Sequence, residues 1–335
     1  MKDGEVQNLS RASRRLMGRI KQAFVLGAGL GTRLRPLTED LPKPLVPIFQ
    51  KPLITFALDH LIAAGCTRFC VNTHHEPQRF DEAFPERSYR GCALTFRHEP
   101  VLLETGGGIA NVADLLGDEP FLVYNADILS DLPLEPLLEE HTRAGNMVTL
   151  ALRSQAGPQH IAFDRANRRI VDIRNLLGTG RPDEFIFSGI YAVEPEFLSW
   201  LEPGVKRSVI PTFLEMIRRG AKLGGVIIDE GEWWDVGTRA AYMQLHRDLP
   251  KLAFPQYPMD QPDWRAAIHP TAQLDAAAQL GGCSVVGARA HIGAGAKLQD
   301  TIVWSGAQIA SRSELRNCIV RAHRKAEGTL SDTDI

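Results

Sequence analysis

The sequence predicts an α/β protein in two parts, a mixed β-sheet covered by helices and then a short parallel β-helix. Short apolar runs alternate with segments of helical periodicity up to about residue 249. Four prolines then fall within thirteen residues, and a six-residue repeat of aliphatic side chains begins at Ile268. We therefore expect five regions: a basic extension over 1–20, an α/β domain over 21–249, a proline-rich linker over 250–265, a β-helix over 266–322 and a tail over 323–335.

The first strand is Gln22–Leu26, an apolar run that enters a glycine-rich turn at Gly27. The later elements follow from the same two periodicities, two residues for strands and 3.6 for helices. We expect strands over 68–72, 93–97, 120–124, 147–152 and 185–193, and helices over 53–64, 78–84, 108–116 and 209–219.

The C-terminal repeat predicts the β-helix. Its period is six residues, with one five-residue step before Val303, and small side chains fill the intervals, whereas an α-helix would repeat at 3.6 residues. Three sides of six residues make one coil, so the segment provides about three coils. The repeated positions are Ile268, Leu274, Leu280, Val286, Ile292, Leu298, Val303, Ile309 and Leu315.

Composition excludes several classes of protein. Lys and Arg total 38 and Asp and Glu total 40, for a net charge of −2, which argues against a broadly basic nucleic-acid-binding protein. No apolar run approaches the ~18 residues of a membrane span. The five cysteines form an odd set without framework spacing, which indicates reduced thiols. We expect a cytoplasmic protein with neither a nucleic-acid nor a membrane partner.

The glycine-rich turn after the first strand is suited to a polyphosphate. It is not a Walker A loop, because no Lys-Ser or Lys-Thr pair follows the glycines, and Thr32 replaces the third glycine of a dinucleotide fingerprint. Glycines let backbone N–H groups approach phosphate oxygens, while Arg33 and Lys43 supply positive charge. Pro42 and Pro44 should hold Lys43 in an extended segment. The alternative is a tight turn with two surface cations.

The string from Gly27 to Leu45, GAGLGTRLRPLT…PKPL, closely resembles the signature of the sugar-1-phosphate nucleotidylyltransferases, and the resemblance covers residues 21–249. The hexapeptide tail matches the left-handed β-helix that many members append. The resemblance implies a Rossmann-like mixed-sheet nucleotidyltransferase domain followed by a left-handed β-helix. It also implies Mg²⁺-dependent reaction of a nucleoside triphosphate with a sugar 1-phosphate. One departure is Gly27, where the family usually has alanine.

The resemblance also implies roles for individual residues. Asp127, after a buried strand, and Asp235, in the string WWDVG, match the two family carboxylates that hold the metal ion. With Arg33 and Lys43 they form the expected catalytic set. The expected nucleotide-binding residues are Leu26, Gly27, Ala28, Gly29, Gly31, Thr32, Arg33, Lys43, Glu104, Thr105, Gly106 and Asn125.

The base-binding and sugar-binding segments are less specific. Leu103–Gly108 resembles the loop that reads the base, although it could be an ordinary glycine turn before a helix, with Thr105 near the cap. Family members often place a lysine on the sugar phosphate; this chain offers Arg174 and Lys206 as replacements, and a surface arginine is an alternative for Arg174. The expected sugar-phosphate-binding residues are Gly189, Arg174, Asn175, Lys206 and Trp234.

Substrate and assembly stay open at this point. The catalytic segments look most similar to N-acetylmuramate-1-phosphate uridylyltransferases, which favours UTP slightly, whereas mannose- or heptose-1-phosphate guanylyltransferases more often carry a β-helix. One alternative is a non-catalytic regulatory subunit that binds a sugar nucleotide. Another is an acyl transferase using His269 or His291 of the β-helix. The β-helix could also assemble the chain into a homo-oligomer.

Overall fold

The computed structural model describes residues 20–155 and 157–335, which form two compact units. We call them the sheet unit (residues 20–30, 56–235 and 255–258) and the coil unit (residues 31–55, 236–254 and 259–335). Apart from Ile20, the extension predicted over 1–20 lies outside the described residues. No helix in these ranges is long and apolar enough to cross a membrane.

The helices of the described chain are short. The α-helices are α1 Leu53–Ala63, α2 Gln78–Ala83, α3 Glu104–Asn111, α4 Ala113–Leu116, α5 Glu135–Ala144, α6 Ile210–Arg218 and α7 Arg239–Asp248. Four 3₁₀ turns cover Thr32–Leu34, Lys43–Leu45, Pro195–Trp200 and Leu249–Lys251.

The strands divide at the end of α7. The strands before it are β1 Gln22–Leu26, β2 Pro47–Ile48, β3 Lys51–Pro52, β4 Arg68–Thr73, β5 Ser88–Tyr89, β6 Cys92–His98, β7 Phe121–Asn125, β8 Ile128–Ser130, β9 Val148–Arg153, β10 Ile161–Asp164, β11 Arg169–Ile173, β12 Ile186–Val193, β13 Leu223–Ile227 and β14 Trp233–Asp235. The strands after it are β15 Gln273–Leu274, β16 Gln279–Gly281, β17 Val285–Val286, β18 His291–Ile292, β19 Lys297–Gln299, β20 Ile302–Val303, β21 Gln308–Ile309, β22 Glu314–Arg316, β23 Ile319–Val320, β24 Lys325–Ala326 and β25 Thr329–Ser331.

The sheet unit is built on one ten-stranded mixed sheet in the order β10-β11-β13-β9-β12-β7-β1-β4-β6-β5. Strands β7, β1, β4 and β6 run parallel, and β12 is antiparallel to both of its neighbours. In this register Leu26 lies beside Asn125, and the Ala126 N–H donates to the Leu26 carbonyl. The topology therefore places the end of β1, where the glycine-rich turn begins, next to the segment that carries Asp127.

The coil unit contains the predicted β-helix. Three sheets of short parallel strands run β15-β18-β21-β24, β16-β19-β22-β25 and β17-β20-β23, consistent with the left-handed form. The repeat continues to Thr329–Ser331, past the boundary predicted at 322, because Ala326 takes an aliphatic position and weakens the pattern. Its buried interior is Val286, Ala290, Ile292, Ala296, Leu298, Val303, Ala307, Ile309, Leu315, Cys318, Val320 and Ala326.

The proline-rich segment is packed more closely than its composition predicts. Residues 255–258 belong to the sheet unit, where the Tyr257 ring stacks on His60 at 4.6 Å and its hydroxyl donates to the Phe56 carbonyl. Phe254 and Trp264 are likewise buried in the coil unit. Because aromatic side chains stand between the prolines, they provide apolar area that a linker would expose.

Candidate active site

Asp127 and Asp235 lie at the same end of a two-stranded ribbon in the sheet unit. Strands β8 and β14 pair antiparallel, with Asp235 opposite Ile128, so Asp127 immediately precedes the partner of Asp235. Both aspartates line one cavity of about 450 Å³. Asp127 is half-buried and Asp235 is exposed. Two acids about a hundred residues apart in the sequence are thus brought to one place by strand pairing.

The cavity contains some of the residues predicted for the sugar and lacks others. Gly189 and Arg174 line it, whereas Asn175, Lys206 and Trp234 are not among its described lining residues. Successive side chains of a strand point to opposite faces. Trp233 therefore lies on the same strand face as Asp235 and lines the cavity with it. The alternation of side chains along the strand WWD would have indicated this placement. The lining is Asn125, Asp127, Ile128, Gly157, Pro158, His160, Arg174, Ile186, Phe187, Ser188, Gly189, Trp233 and Asp235.

Arg174 lies in a turn whose backbone N–H groups donate hydrogen bonds to the buried carboxylate of Asp172. The carboxylate of Asp172 accepts backbone N–H groups from Leu177 at 3.0 Å and Thr179 at 3.2 Å. Burial would raise the pKa of Asp172, but these N–H donors lower it below its ordinary value. Arg174 has a φ of 55° within the turn and remains exposed at the cavity. The rival lysine, Lys206, lies 4.0 Å from the carboxylate of Glu104 instead.

His160 is a cavity residue that the sequence analysis missed. Its Nδ1 donates to the Pro158 carbonyl at 3.0 Å, and its Nε2 accepts the Phe187 N–H at 3.3 Å. These bonds fix one neutral tautomer of the ring. Gly189, expected to bind the sugar phosphate, stands where the backbone requires glycine, because it has a φ of 81° and an added Cβ would lie 2.7 Å from Nδ2 of Asn125.

The first half of the glycine-rich turn is tied to a buried polar network. The N–H groups of Gly27 and Ala28 donate to Oδ1 of Asn72 at 2.8 and 3.2 Å. Asn72 Nδ2 donates to Oε1 of Glu99, whose Oε2 accepts the Leu103 N–H. Asn72 and Glu99 are both fully buried. They were missed because neither belongs to a glycine-rich motif, although Asn72 ends the strand predicted over 68–72 and Glu99 comes just after the strand predicted over 93–97.

Gly27 also has a steric role at this turn. A Cβ there would lie 2.8 Å from the Asn72 carbonyl oxygen and 2.9 Å from the Val71 side chain. Glycine in place of the family's alanine therefore allows the backbone at the end of β1 to lie close to β4 in this chain. Because the amides of Gly27 and Ala28 already have a protein acceptor, their role in this structure is to shape the turn.

The segment predicted as a base-reading loop is helical. Helix α3 begins at Glu104, and its Gly106 and Gly107 N–H groups donate to the Arg207 carbonyl at 2.8 and 3.0 Å. The Thr105 hydroxyl accepts the Val209 N–H at the start of α6. A Cβ on Gly107 would lie 2.4 Å from the Val205 carbonyl. The glycines therefore permit close packing on the 205–208 backbone, a long-range contact that the local pattern does not reveal.

Four of the predicted phosphate-binding residues lie in the coil unit: Gly31, Thr32, Arg33 and Lys43. Thr32 and Arg33 form a 3₁₀ turn whose preceding residue, Gly31, has a φ of 58° and accepts a hydrogen bond from the Thr38 hydroxyl at 2.8 Å. Arg33 is exposed, while Lys43 is only 9% exposed. Lys43 begins the second 3₁₀ turn instead of lying in an extended segment, because proline at the second position of such a turn is compatible with helical φ.

The donor set at the cavity fits a hard divalent cation. Asp127 and Asp235 offer carboxylate oxygens, and the residues the structure describes contain no group of three or more His, Cys, Asp or Glu side chains placed to hold a metal. Magnesium in phosphate-handling sites is held by one or two carboxylates together with water and substrate phosphates. Two aspartates beside an open cavity match that pattern.

Comparison with known proteins identifies the family. A family model described as nucleotidyl transferase matches residues 22–251. A mannose-1-phosphate guanylyltransferase of Mycobacterium tuberculosis is 31% identical over 294 residues, covering 86% of this chain and 80% of its own. An N-acetylmuramate alpha-1-phosphate uridylyltransferase of Neisseria meningitidis is 32% identical over 225 residues, covering 65% and 93% respectively.

A catalytic subunit beta of mannose-1-phosphate guanylyltransferase from Drosophila melanogaster is 30% identical over 234 residues, which is 66% of this chain and 60% of that protein. The family model covers the strands and helices that carry Asp127 and Asp235, and the relatives share the chemistry that the opening signature predicts. This chain belongs to the sugar-1-phosphate nucleotidylyltransferases.

Proposed function

We propose that this chain transfers a nucleotidyl group to a sugar 1-phosphate, with Asp127 and Asp235 holding Mg²⁺. Members of this family typically use a divalent metal ion. The observation that carries the proposal is the placement of both carboxylates at the same end of the β8–β14 ribbon, at the cavity that Arg174 and Gly189 also line. When bound, the ion supplies charge stabilisation at the phosphoryl oxygens.

An oxygen of the sugar 1-phosphate attacks the α-phosphorus of the triphosphate, an O–P bond forms, and the bond from the α-phosphorus to the bridging oxygen breaks. Pyrophosphate leaves with that electron pair. The nucleophile is already an anion, so the protein needs no general base. It must bring two anions together and offset their repulsion. We assign this to Arg174 on the sugar phosphate and to Arg33 and Lys43 on the triphosphate.

We propose GTP and mannose 1-phosphate as the substrate pair. The supporting observation is the length of the match to the mycobacterial guanylyltransferase, whose 294 aligned residues exceed the 230 residues of the family domain and so extend into the rest of the chain. The catalytic segments of the sequence favour UTP slightly. UTP with N-acetylmuramate 1-phosphate is the second candidate, because the neisserial relative aligns over 93% of its own length.

The test is pyrophosphate release with Mg²⁺, measured for GTP, UTP, ATP, dTTP and CTP against mannose, heptose and N-acetylmuramate 1-phosphates. Release with GTP and mannose 1-phosphate is expected. Release only with UTP and N-acetylmuramate 1-phosphate would replace the substrate pair and keep the reaction. Folded protein that binds a GDP- or UDP-sugar but releases no pyrophosphate with any pair would support the regulatory subunit instead.

A further inference from the structure

The coil unit joins the β-helix to residues 31–55, the segment that carries Thr32, Arg33 and Lys43. This grouping is unexpected, because the family domain runs continuously through residues 22–251 and the β-helix lies outside it. The contacts that create it fall at two places on the segment, one on each side of Lys43. They suggest what the β-helix does for the reaction.

The first anchor lies between Arg33 and Lys43. Arg321, which follows β23 of the β-helix, donates through one guanidinium nitrogen to the Pro36 carbonyl at 2.9 Å, to Glu39 at 3.0 Å and to Asp40 at 3.2 Å. Its Nε donates to the Ile335 carbonyl at 3.2 Å, which helps to orient the guanidinium. The Arg321 side chain is only 13% exposed. Arg324 adds a bond to Asp40 at 2.7 Å.

The second anchor follows Lys43. The Trp304 indole of the β-helix donates to the Tyr242 hydroxyl of α7 at 3.1 Å, and that hydroxyl donates to the Pro47 carbonyl at 2.7 Å. Two residues on, the Phe49 N–H donates to His246 and the Phe49 ring stacks on it at 4.9 Å. Gln50 reaches the first coil through a side-chain bond to the Ala266 carbonyl at 2.8 Å.

We propose that Arg321 is a positioning residue for the nucleoside triphosphate, acting through residues 36–40 on the stretch from Arg33 to Lys43. The proposal rests on the proposed function, in which those two cations meet the triphosphate. Its physical basis is twofold. Hydrogen bonds to charged groups restrict the segment more strongly than neutral ones, and Arg321 places a cation on Glu39 and Asp40. Without it, Glu39 and Asp40 each lose one cationic contact while Asp40 keeps Arg324, so less positive charge would offset these carboxylates near Arg33 and Lys43 when the triphosphate binds.

The main experiment compares Arg321→Ala and Arg321→Lys with wild type in steady-state kinetics. The KM for the triphosphate should rise about ten-fold in Arg321→Ala, the size expected for losing a charge-assisted bond, and by less in Arg321→Lys, which keeps the charge without the fork. The KM for the sugar 1-phosphate should stay within about two-fold, because its proposed ligands lie in the sheet unit. Lys297→Ala, which removes an exposed β-helix cation paired with Glu314, is the matched control and should change neither constant.

A second variant guards against misfolding of the β-helix. Asp40→Asn removes a partner of Arg321 from the other side of the contact, and its effect on triphosphate KM should be smaller in the Arg321→Ala background than in wild type, because the bond to Arg321 is already absent there while the bond to Arg324 remains to be lost. An unchanged triphosphate KM in active Arg321→Ala would overturn the proposal. Equal rises of both KM values would also overturn it, since they would indicate a general disturbance of the structure and not an effect specific to the triphosphate.

Hydrogen exchange separates this inference from the proposed function. If wild type releases no pyrophosphate with any substrate pair, the proposed function fails, and exchange then tests the anchor alone. Faster amide exchange in Arg321→Ala confined to residues 34–46 would support the anchor. Exchange indistinguishable from wild type in that segment would overturn it.

Discussion

The sheet unit and the coil unit are both rich in parallel β-structure, yet their neighbours are chosen in different ways. In the β-helix each strand pairs with the strand one coil away, as Leu280 does with Leu298 and Leu298 with Leu315. In the ten-stranded sheet, β1 lies between β4 and β7, and β13 between β11 and β9. The β-helix repeats the same strand pairing from one coil to the next, whereas the ten-stranded sheet pairs strands that are far apart in the sequence.

This difference in strand pairing gives the sheet and the β-helix different roles. The sheet unit brings distant residues together by strand pairing, and Asp127 and Asp235 lie at the same end of its two-stranded β8–β14 ribbon. The β-helix stacks aliphatic side chains in columns and presents arginines from its turns, among them Arg321. Changes in the sheet unit's cavity should therefore affect turnover at constant stability, whereas changes in the coil interior should affect stability first. Assembly through the β-helix stays a prediction.

The largest expected effect is on turnover. Asp127→Ala should lower kcat by about 10²–10³-fold, because it removes a carboxylate proposed to hold the ion that stabilises charge in the transition state, and losing one such stabilising group typically costs that much. The free energy of unfolding should stay near the wild-type value, because Asp127 is half-buried at a cavity edge. Steady-state kinetics and urea unfolding measure the two quantities. Asp118→Ala, at an exposed acid of the same unit, is the control. Near-normal turnover in Asp127→Ala would remove this residue from the metal site.

The next effect tests the coil interior. Ile309→Ala should reduce the free energy of unfolding by about 2–5 kcal/mol, because Ile309 is 1% exposed and truncation leaves a cavity. Ile268→Ala should cost at most about 0.5 kcal/mol, because this repeat position is 44% exposed. Urea denaturation of both variants measures the contrast. Equal losses would mean that the first coil is as tightly packed as the middle one.

Asn72 tests whether a purely structural network of the sheet unit supports the nucleotide turn. Asn72→Ala leaves the Gly27 and Ala28 amides without their acceptor and Glu99 without one donor. The free energy of unfolding should fall by about 1–3 kcal/mol, because buried polar groups lose their hydrogen-bond partners. The triphosphate KM should rise more than the sugar phosphate KM. Thr95→Ala, on the neighbouring strand β6 and outside this network, is the control; a matching KM change there would contradict the assignment.

The smallest effect concerns pH. Burial lowers the pKa of His246 in the coil unit from 6.5 to about 4, although its bond to the Tyr242 carbonyl opposes this shift. A depressed folded pKa contributes stability that is complete above 6.5 and is lost as the pH falls toward 4. Between pH 7.5 and 5.0 this group should remove about 2 kcal/mol of stability.

His246→Gln should lose less stability than wild type over that pH interval, as measured by urea unfolding at both pH values. His60 in the sheet unit has a pKa lowered to about 3 by burial, so His60→Gln should behave alike. An equal pH dependence in wild type and His246→Gln would show that His246 is not the group responsible. A response confined to one variant would separate the two units in their sensitivity to acid.

Much of the candidate site follows from sequence because its motifs are local. Strand β1 with its glycine turn, the two aspartates and Gly189 are each read from a few adjacent residues, and the six-residue period identifies the coils. The resemblance implies Trp234 at the sugar phosphate, whereas Trp233 lines the cavity, because a motif does not specify which face of a strand a side chain occupies. Asn72 and Glu99 belong to no recognisable sequence motif, because a buried polar network depends on which strands become neighbours.

The sequence by itself determined the strand and helix periods, the family and the repeat, because each of these is encoded by side chains at fixed short spacings. Only the tertiary structure decided that residues 104–111 form a helix on the 205–208 backbone, that the proline-rich segment is packed, and that residues 31–55 belong with the β-helix. These outcomes depend on surfaces meeting across long stretches of chain. Their energies come from close backbone contacts and shared hydrogen bonds, which no local spacing records.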